Sequence, residues 1–296
     1  MNSFLTDVFI PALGIGALYG LVGISFNLIF APAGTFNFAQ GQIVMLGGLL
    51  ALSFYQQNGW PVLLALVAVM AIGAAVALAE ERIAVWPALR RDPHGIGWVL
   101  STLAVFTIIQ NLAILQWGTT PQNVKSFPAL SVSRHDVFGL QVAPYHFGVL
   151  LIAIAITVAL YLFARRSAIG RATAAVAQDR DAAALRGVNV RLVISLGFVM
   201  GGALACLTGM LAAPLTLATV NVGLTFTFRG FTAAALGGMG DNTGALTAGL
   251  ALGLMEQLTL RYWQGGYVNL VILLALLGLL LVRPEGLFGQ AVPRRV

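Results

Sequence analysis

The sequence predicts an all-α fold, a polytopic bundle of transmembrane helices. Three observations carry that prediction. Hydrophobic residues make up 59% of the chain and charged residues 9%, with a mean hydropathy of +0.90, whereas a soluble domain carries about 25% charge. No Asp, Glu, Lys or Arg occurs from Val8 to Ala79; since one spanning helix takes about 20 apolar residues, that run holds roughly three. The charges that do occur are gathered into short segments. The foremost is the island from Arg165 to Arg191, with six of the sixteen basic residues against the acids Asp179 and Asp181.

Taken in order, MNSFLTD lacks the basic stretch of a secretory signal, so the first apolar run is expected to be a retained span. Apolar segments predict helices near 9–30, 38–55, 61–80, 97–117, 147–164, 192–213, 244–260 and 268–282, about eight in all. A ninth piece, Phe228 to Met239, reads as a short broken helix. At about 1.5 Å per residue it reaches roughly 18 Å of a ~30 Å hydrocarbon core. Arginines near 82–91, in 165–191 and at 283–295 put those segments on the cytoplasmic side. The segment 118–146, whose charges are Lys125, Arg134 and Asp136, then falls outside, as do 214–227 and 261–267. With the broken helix counted as a crossing, the amino terminus lies outside.

The helices carry the pattern of close packing. Gly197, Gly201, Ala205, Gly209 and Ala213 recur every four residues, and Ala245, Gly249 and Gly253 repeat the spacing. Small residues so placed let backbones approach where the hydrophobic effect gives no drive. Two polar, Gly-rich interruptions fall in corresponding halves, Gly34 to Gln42 (GTFNFAQGQ) and Ala235 to Asn242 (ALGGMGDN). Non-helical backbone at membrane depth is tolerated where it is buried in protein or lines a cavity. Asn37, Gln40, Gly237, Gly238 and Gly240 are therefore candidates for the translocation path, with plain connecting loops the competing reading. Gln110 and Asn111 are further intramembrane polar groups. Glu256 is an intramembrane carboxylate, a functional candidate by its cost, or a structural partner near the interface given its closeness to Arg261.

Other chemistries find little support. Cys206 is the single cysteine, so no internal disulfide or cysteine metal cluster forms, and His94, His135 and His146 are scattered without metal-ligand spacing. The net charge of +6 is explained by arginines in short connections, without nucleic acid. Gly238-Met239-Gly240-Asp241 spells the G-x-G-D of intramembrane aspartyl proteases. That catalysis needs a second carboxylate sharing the site, and the chain has no Tyr-Asp pair. The only lysine, Lys125, follows Val124, and Thr119 stands where a nucleotide-binding loop needs its first glycine. No catalytic residue, cofactor or metal is expected, and ATP-driven work needs another subunit.

Within the basic island, Asp181-Ala182-Ala183, three residues and Gly187 resemble the E-A-A-x-x-x-G loop by which ABC-transporter permeases dock on their ATPases, with Asp in place of Glu. The surrounding GRATAAVAQDRDAAALRGVNVRLVISLGF, then FRGFTAAALGGMGDNTGALTAGLALGLMEQL and RPEGLFG, resemble the permeases of the branched-chain amino acid uptake family. GALYGLVGISFNLIFAPAGTFNFAQGQIVMLGG, ERIAVWPALR and LSTLAVFTIIQN extend the resemblance over nearly the whole chain, apart from 118–146. The NFAQGQ segment and the length of 296 are similar to the first, H-type permease.

The resemblance implies one transmembrane permease domain over 1–296, with 165–191 as its cytoplasmic coupling loop. Gly170, Arg171, Asp179, Asp181, Ala182, Ala183 and Gly187 are the coupling candidates. The implied assembly adds a second paralogous permease, two cytoplasmic ATP-binding subunits and a periplasmic solute-binding protein, in a bacterial inner membrane. Branched-chain or other apolar amino acids are the implied solutes. The family pattern has a His and an acid where Gln40 and Gln42 stand, and the family also takes up urea, short amides and aromatic acids. The competing class, a self-sufficient channel or secondary transporter, needs coupling carboxylates facing a midplane cavity, for which Glu256 is the one candidate.

Overall fold

Each of the eight apolar segments is helical in the computed structural model, which describes residues 4–91, 96–128, 130–133, 135–137, 140–263, 265–283 and 286–287. His94, Arg134, Arg294 and Arg295, with Pro284, Glu285, Phe288 and Gly289 of RPEGLFG, lie outside the described residues. Helix α1 opens with a π-helical turn, Leu5–Phe9, and continues as Ile10–Ala33. It stops at Gly34, whose φ of 57° is left-handed and whose N–H returns to Phe30 O, a glycine C-cap. α2 (Gln40–Ala51) passes into a π-helical turn, Leu52–Gln57. α3 (Val62–Glu80) continues through a π-helical turn, Glu81–Val85, into Trp86–Arg91, so ERIAVWPALR is helical and not a connecting loop.

α4 is Gly97–Trp117 and α5 is Pro144–Arg166. Between them, β1 (His135–Val137) and β2 (Leu140–Val142) pair antiparallel, and Gln122 bridges to Ala218. α6 (Ala168–Gln178) and α7 (Arg180–Leu185) turn the basic island into a helical hairpin. α8 (Val190–Thr216), α9 (Val222–Gly237), α10 (Asn242–Tyr262) and α11 (Val268–Val282) follow. By length and composition, five helical stretches among the described residues can cross a membrane: Leu5–Ala33, Val62–Arg91, Gly97–Trp117, Pro144–Arg166 and Val190–Thr216.

α9 is the short helix expected at Phe228 to Met239, extended back to Val222. It has 16 residues, a reach of about 24 Å that still falls short of a ~30 Å hydrocarbon core. Thr225, Thr227 and Arg229 lower the hydropathy of its first two turns, yet Thr227 is buried. That inward-facing polarity hid the start of the helix.

Burial ranks the helices. In α1 and α8, 78% and 61% of the most apolar stretch is buried, against 22%, 11% and 17% in α3, α4 and α5. α1 packs against α10, α8, α9 and α5, while α8 packs against α3, α1 and α2. The small-residue rows form these seams. A Cβ on Gly197 would stand 2.6 Å from Leu28 O, and one on Gly201 2.9 Å from Ser25 O, both carbonyls of α1. On α10, a Cβ at Gly253 would stand 2.5 Å from Ala12 O and from Gly16 N, also on α1. Such distances leave no room for a methyl group, so only hydrogen allows the approach.

Gly253→Leu is therefore expected to destabilise the bundle by about 3 kcal/mol or more, as overpacking against backbone does. Gly278→Leu, on α11 where nothing lies within 4 Å, should leave the thermal unfolding midpoint in detergent unchanged. Equal midpoints for both variants would show that the α1–α10 seam is not close-packed.

Candidate functional site

The two interruptions are turns between antiparallel helices, and they lie at the end of the bundle that carries α6 and α7. In the first, buried Asn37 accepts from Ala39 N at 2.8 Å through Oδ1. Its Nδ2 donates to Glu80 Oε2 at 2.7 Å and to Gln40 Oε1 at 3.3 Å. Gln40 Nε2 then donates to Gly201 O on α8 at 2.9 Å. Phe36 stacks on Phe30 with centroids 4.6 Å apart and meets Phe231 of α9 edge-on at 5.1 Å. Phe38 lies parallel to Trp98 of α4. The turn is a packed plug of aromatic rings over a buried amide network.

α3 supplies that network with two adjacent carboxylates, Glu80 at 4% and Glu81 at 0% exposure. Neighbours on a helix point about 100° apart, so burying both needs protein on two sides. Asn37 holds one; Ser195 Oγ of α8 donates to Glu81 Oε2 at 3.1 Å, and Arg82 Nε pairs with the same oxygen. Glu80 Oε1 and Glu81 Oε1 are buried without a hydrogen-bond partner, as are both amide atoms of Gln42. The π-helical turn that begins at Glu81 is a distortion common at functional positions. One turn on, Trp86 lies under Arg191 of α8, at 4.9 Å, and under Arg90.

The second interruption is clamped to α1. Asn27 Nδ2 donates to Asp241 O at 2.9 Å, and its Oδ1 accepts from Gly240 N at 3.0 Å. Asp241 Oδ1 caps α10 through Thr243 N and Gly244 N. Gly238 and Gly240 have φ of 103° and 89°, conformations that side chains with a Cβ rarely adopt. Gly237 sits directly on the backbone of Gly244 and Ala245.

The coupling candidates occupy a capped hairpin. Ser167 Oγ accepts from Gly170 N at 2.8 Å, Asp179 Oδ1 from Ala182 N at 3.0 Å, and Asn189 Oδ1 from Leu192 N at 3.1 Å. Gly170 is buried against Ala164, and Ala183 packs with Val176 and Val193 at the hairpin's root. Arg171, Asp181, Ala182 and Gly187 are exposed. Leu185 is 90% exposed. Arg180 reaches back to donate to Pro32 O at 3.1 Å, on the last turn of α1, where a cation also meets the helix dipole favourably.

Glu256 belongs to a different cluster. Tyr19 Oη donates to Glu256 Oε2 at 2.6 Å, and Arg229 Nη1 pairs with Glu256 Oε1 at 3.0 Å. Arg229 Nη1 also bonds the Tyr19 hydroxyl, with the guanidinium over the Tyr19 ring. The partner of Glu256 thus comes from α9, while Arg261 lies 4.0 Å from Asp7. Gln110 and Asn111 stand apart on α4, where Asn111 is exposed and bonds Thr107 O at 2.8 Å. Sequence reasoning missed Tyr19, Asn27, Glu80, Glu81, Ser195 and Arg229. The available signal was that Glu256 requires a cation at depth, and Arg229 is the one between two apolar runs. Among the described residues no three His, Cys, Asp or Glu gather as a metal requires.

Asn37→Leu removes the donor to a buried carboxylate and is expected to lower stability by about 1–3 kcal/mol. Asn111→Leu, on an exposed helix face, should stay within about 0.5 kcal/mol. Unfolding midpoints of the two purified variants check this, and matching midpoints would remove Asn37 from any structural role.

Residues 9–281 match the family described as branched-chain amino acid transport system, permease component. The chain is 29% identical over 305 residues to the high-affinity branched-chain amino acid transport system permease protein LivH of Escherichia coli strain K12, covering 99% of this chain and 98% of that one. It is 27% identical to the corresponding permease BraD of Pseudomonas aeruginosa, covering 97% and 96%. It is 24% identical to a probable LivH permease of Methanocaldococcus jannaschii, covering 91% and 88%. No solved structure matches. A family match spanning nearly the whole chain, on a helical bundle of apolar spans, makes this protein a member of the branched-chain amino acid ABC permease family, of the H type.

Proposed function

We propose that the chain is one of two permease halves of a binding-protein-dependent importer for branched-chain or other apolar amino acids in a bacterial inner membrane. Two cytoplasmic ATP-binding subunits drive it, and a periplasmic protein delivers solute. The chain itself catalyses no reaction and acts as a single permease domain over 1–296. The observation that carries this reading is the α6–α7 hairpin, exposed at its tip and tied down at its root. An apolar side chain as open as Leu185, 90% exposed beside Asp181 and Ala182, is suited to a pocket on another protein. The root contacts, Arg180 on Pro32 O and the Asn189 cap of α8, lead from that tip to both central helices.

In this reading the hairpin, with Gly170, Arg171, Asp179, Asp181, Ala182, Ala183 and Gly187, is the coupling element on the cytoplasmic side. The packed turns at Asn37, Gln40, Gly237, Gly238 and Gly240 form the inner closure of the path. Gln110 and Asn111, remote from those turns, would have to meet the path from the side of the second permease.

Reconstitution into liposomes tests the reading. The chain alone should move no solute under a proton or sodium gradient, and leucine uptake should require the second permease, the ATPases, ATP and the binding protein. Gradient-driven uptake by the isolated chain would overturn it. Within the full complex, Asp181→Arg and Leu185→Asp should each reduce uptake by about tenfold or more, as loss of an interface anchor does, with the unfolding midpoint of the bundle unchanged. Normal solute-stimulated ATP hydrolysis in both variants would take the hairpin out of the coupling route.

A further inference from the structure

Arg229, Glu256 and Tyr19 bring a guanidinium, a carboxylate and a phenol together from α9, α10 and α1. Two of its members lie midway along their helices, Arg229 in Val222–Gly237 and Tyr19 in Leu5–Ala33, and Glu256 stands between the middle and the end of Asn242–Tyr262. Nothing in the inner turns or the coupling hairpin uses it. As a structural device it is a poor choice, because a buried ion pair is commonly matched or bettered in stability by apolar residues of similar volume. Ionic side chains at this depth are characteristic of substrate and ion pathways.

The cluster is also incomplete and unsealed. Both of the guanidinium's contacts with Glu256 and Tyr19 are made through Nη1, and its Nε is buried without a hydrogen-bond partner. The Arg229 side chain keeps 16% of its surface open and that of Glu256 keeps 9%. On the same helix Leu224 and Phe228 are 48% and 63% exposed, on a face about 100° or more round the axis from Arg229.

We propose that this cluster reads the backbone of the transported amino acid, with Arg229 taking its carboxylate and Glu256 its ammonium. The inference rests on the amino acid importer reading above. When empty, the two side chains neutralise each other. A zwitterion entering between them supplies the same two charges in the opposite roles, so no unpaired ion is created in either state. Exchange of one ion pair for two keeps binding weak enough for release. Tyr19 positions Glu256 through its hydroxyl and supports the guanidinium with its ring.

The test is ATP-driven leucine uptake by the full complex in vesicles, with the wild-type chain, Arg229→Lys, and the double variant Arg229→Met with Glu256→Leu. The double variant keeps volume and removes the pair, leaving the Tyr19 hydroxyl as the one group of the cluster without its partners, so its unfolding midpoint should fall no further than that of Asn37→Leu while uptake falls more than about tenfold. Arg229→Lys retains the charge and loses the planar fork, and its uptake should fall roughly tenfold. Wild-type uptake in a well-folded double variant would make the cluster structural and overturn the proposal. Should the double variant not fold, Arg229→Lys decides: an unchanged leucine concentration for half-maximal uptake overturns the proposal, and a rise of about tenfold in that concentration supports it. Absence of leucine uptake with the wild-type chain itself would instead defeat the importer reading, and this inference with it.

Discussion

Backbone-to-backbone contact of α8 and α10 with α1 is the constraint on which the rest of the structure depends. In a bilayer, lipid tails are as apolar as leucine, so burying leucine between helices gains little. What remains is close packing and buried polar bonding. Gly197 and Gly201 press α8 onto the carbonyls of Leu28 and Ser25, and Gly253 presses α10 onto Ala12 and Gly16. These seams fix where the polar groups fall. With α1 displaced by the width of one methyl group, Asn27 would no longer reach the α9–α10 turn, nor Tyr19 reach Glu256.

The polar groups divide by depth. Near the hairpin end, Asn27, Asn37, Gln40, Glu80, Glu81 and Ser195 cross-link α1, α2, α3, α8 and the α9–α10 turn. Deeper in the bundle stands the single cluster of Arg229, Glu256 and Tyr19. Each link is worth about 1 kcal/mol net, and more where a charge takes part. Leaving a buried partner bare costs more than that. The network therefore specifies one arrangement strongly while adding little to total stability.

Hydropathy made the helices legible, and four-residue spacing of small residues marked α8 and α10 for close packing, while their shared partner α1 came only from the structure. What was not legible follows from the same arithmetic. The first turns of α9 escaped because Thr227 and Arg229 make its start look polar when averaged along the chain, although the helix hides the Thr227 side chain inward and pairs Arg229 with Glu256. Glu80 and Glu81 looked like the end of a span because charge normally marks the interface, whereas α3 carries them inside against Asn37 and Ser195. Tyr19 left no trace, since one phenol in an apolar helix is unremarkable until its partner is known. Asn37 and Gln40 were singled out by their polarity, and the structure joins them to α3 and α8; Gln110 and Asn111 carried the same signal and lie on α4.

These magnitudes also indicate which contacts can change during a transport cycle. A glycine seam has no intermediate geometry: its backbones touch along several turns, and sliding one past the other forces carbonyls into Cα atoms before a new register is reached. The links at the hairpin end are separate side-chain contacts, each individually weak. Arg180 on Pro32 O, Glu81 with Ser195, and Trp86 under Arg191 are each a single contact. A force applied at the α6–α7 tip therefore reaches first the contacts that give way at least cost. The seams would then move as rigid bodies while the inner turns exchange partners. In that division of labour Glu80 Oε1, Glu81 Oε1 and the Gln42 amide, buried and without hydrogen-bond partners in this arrangement, are groups that a second arrangement can satisfy.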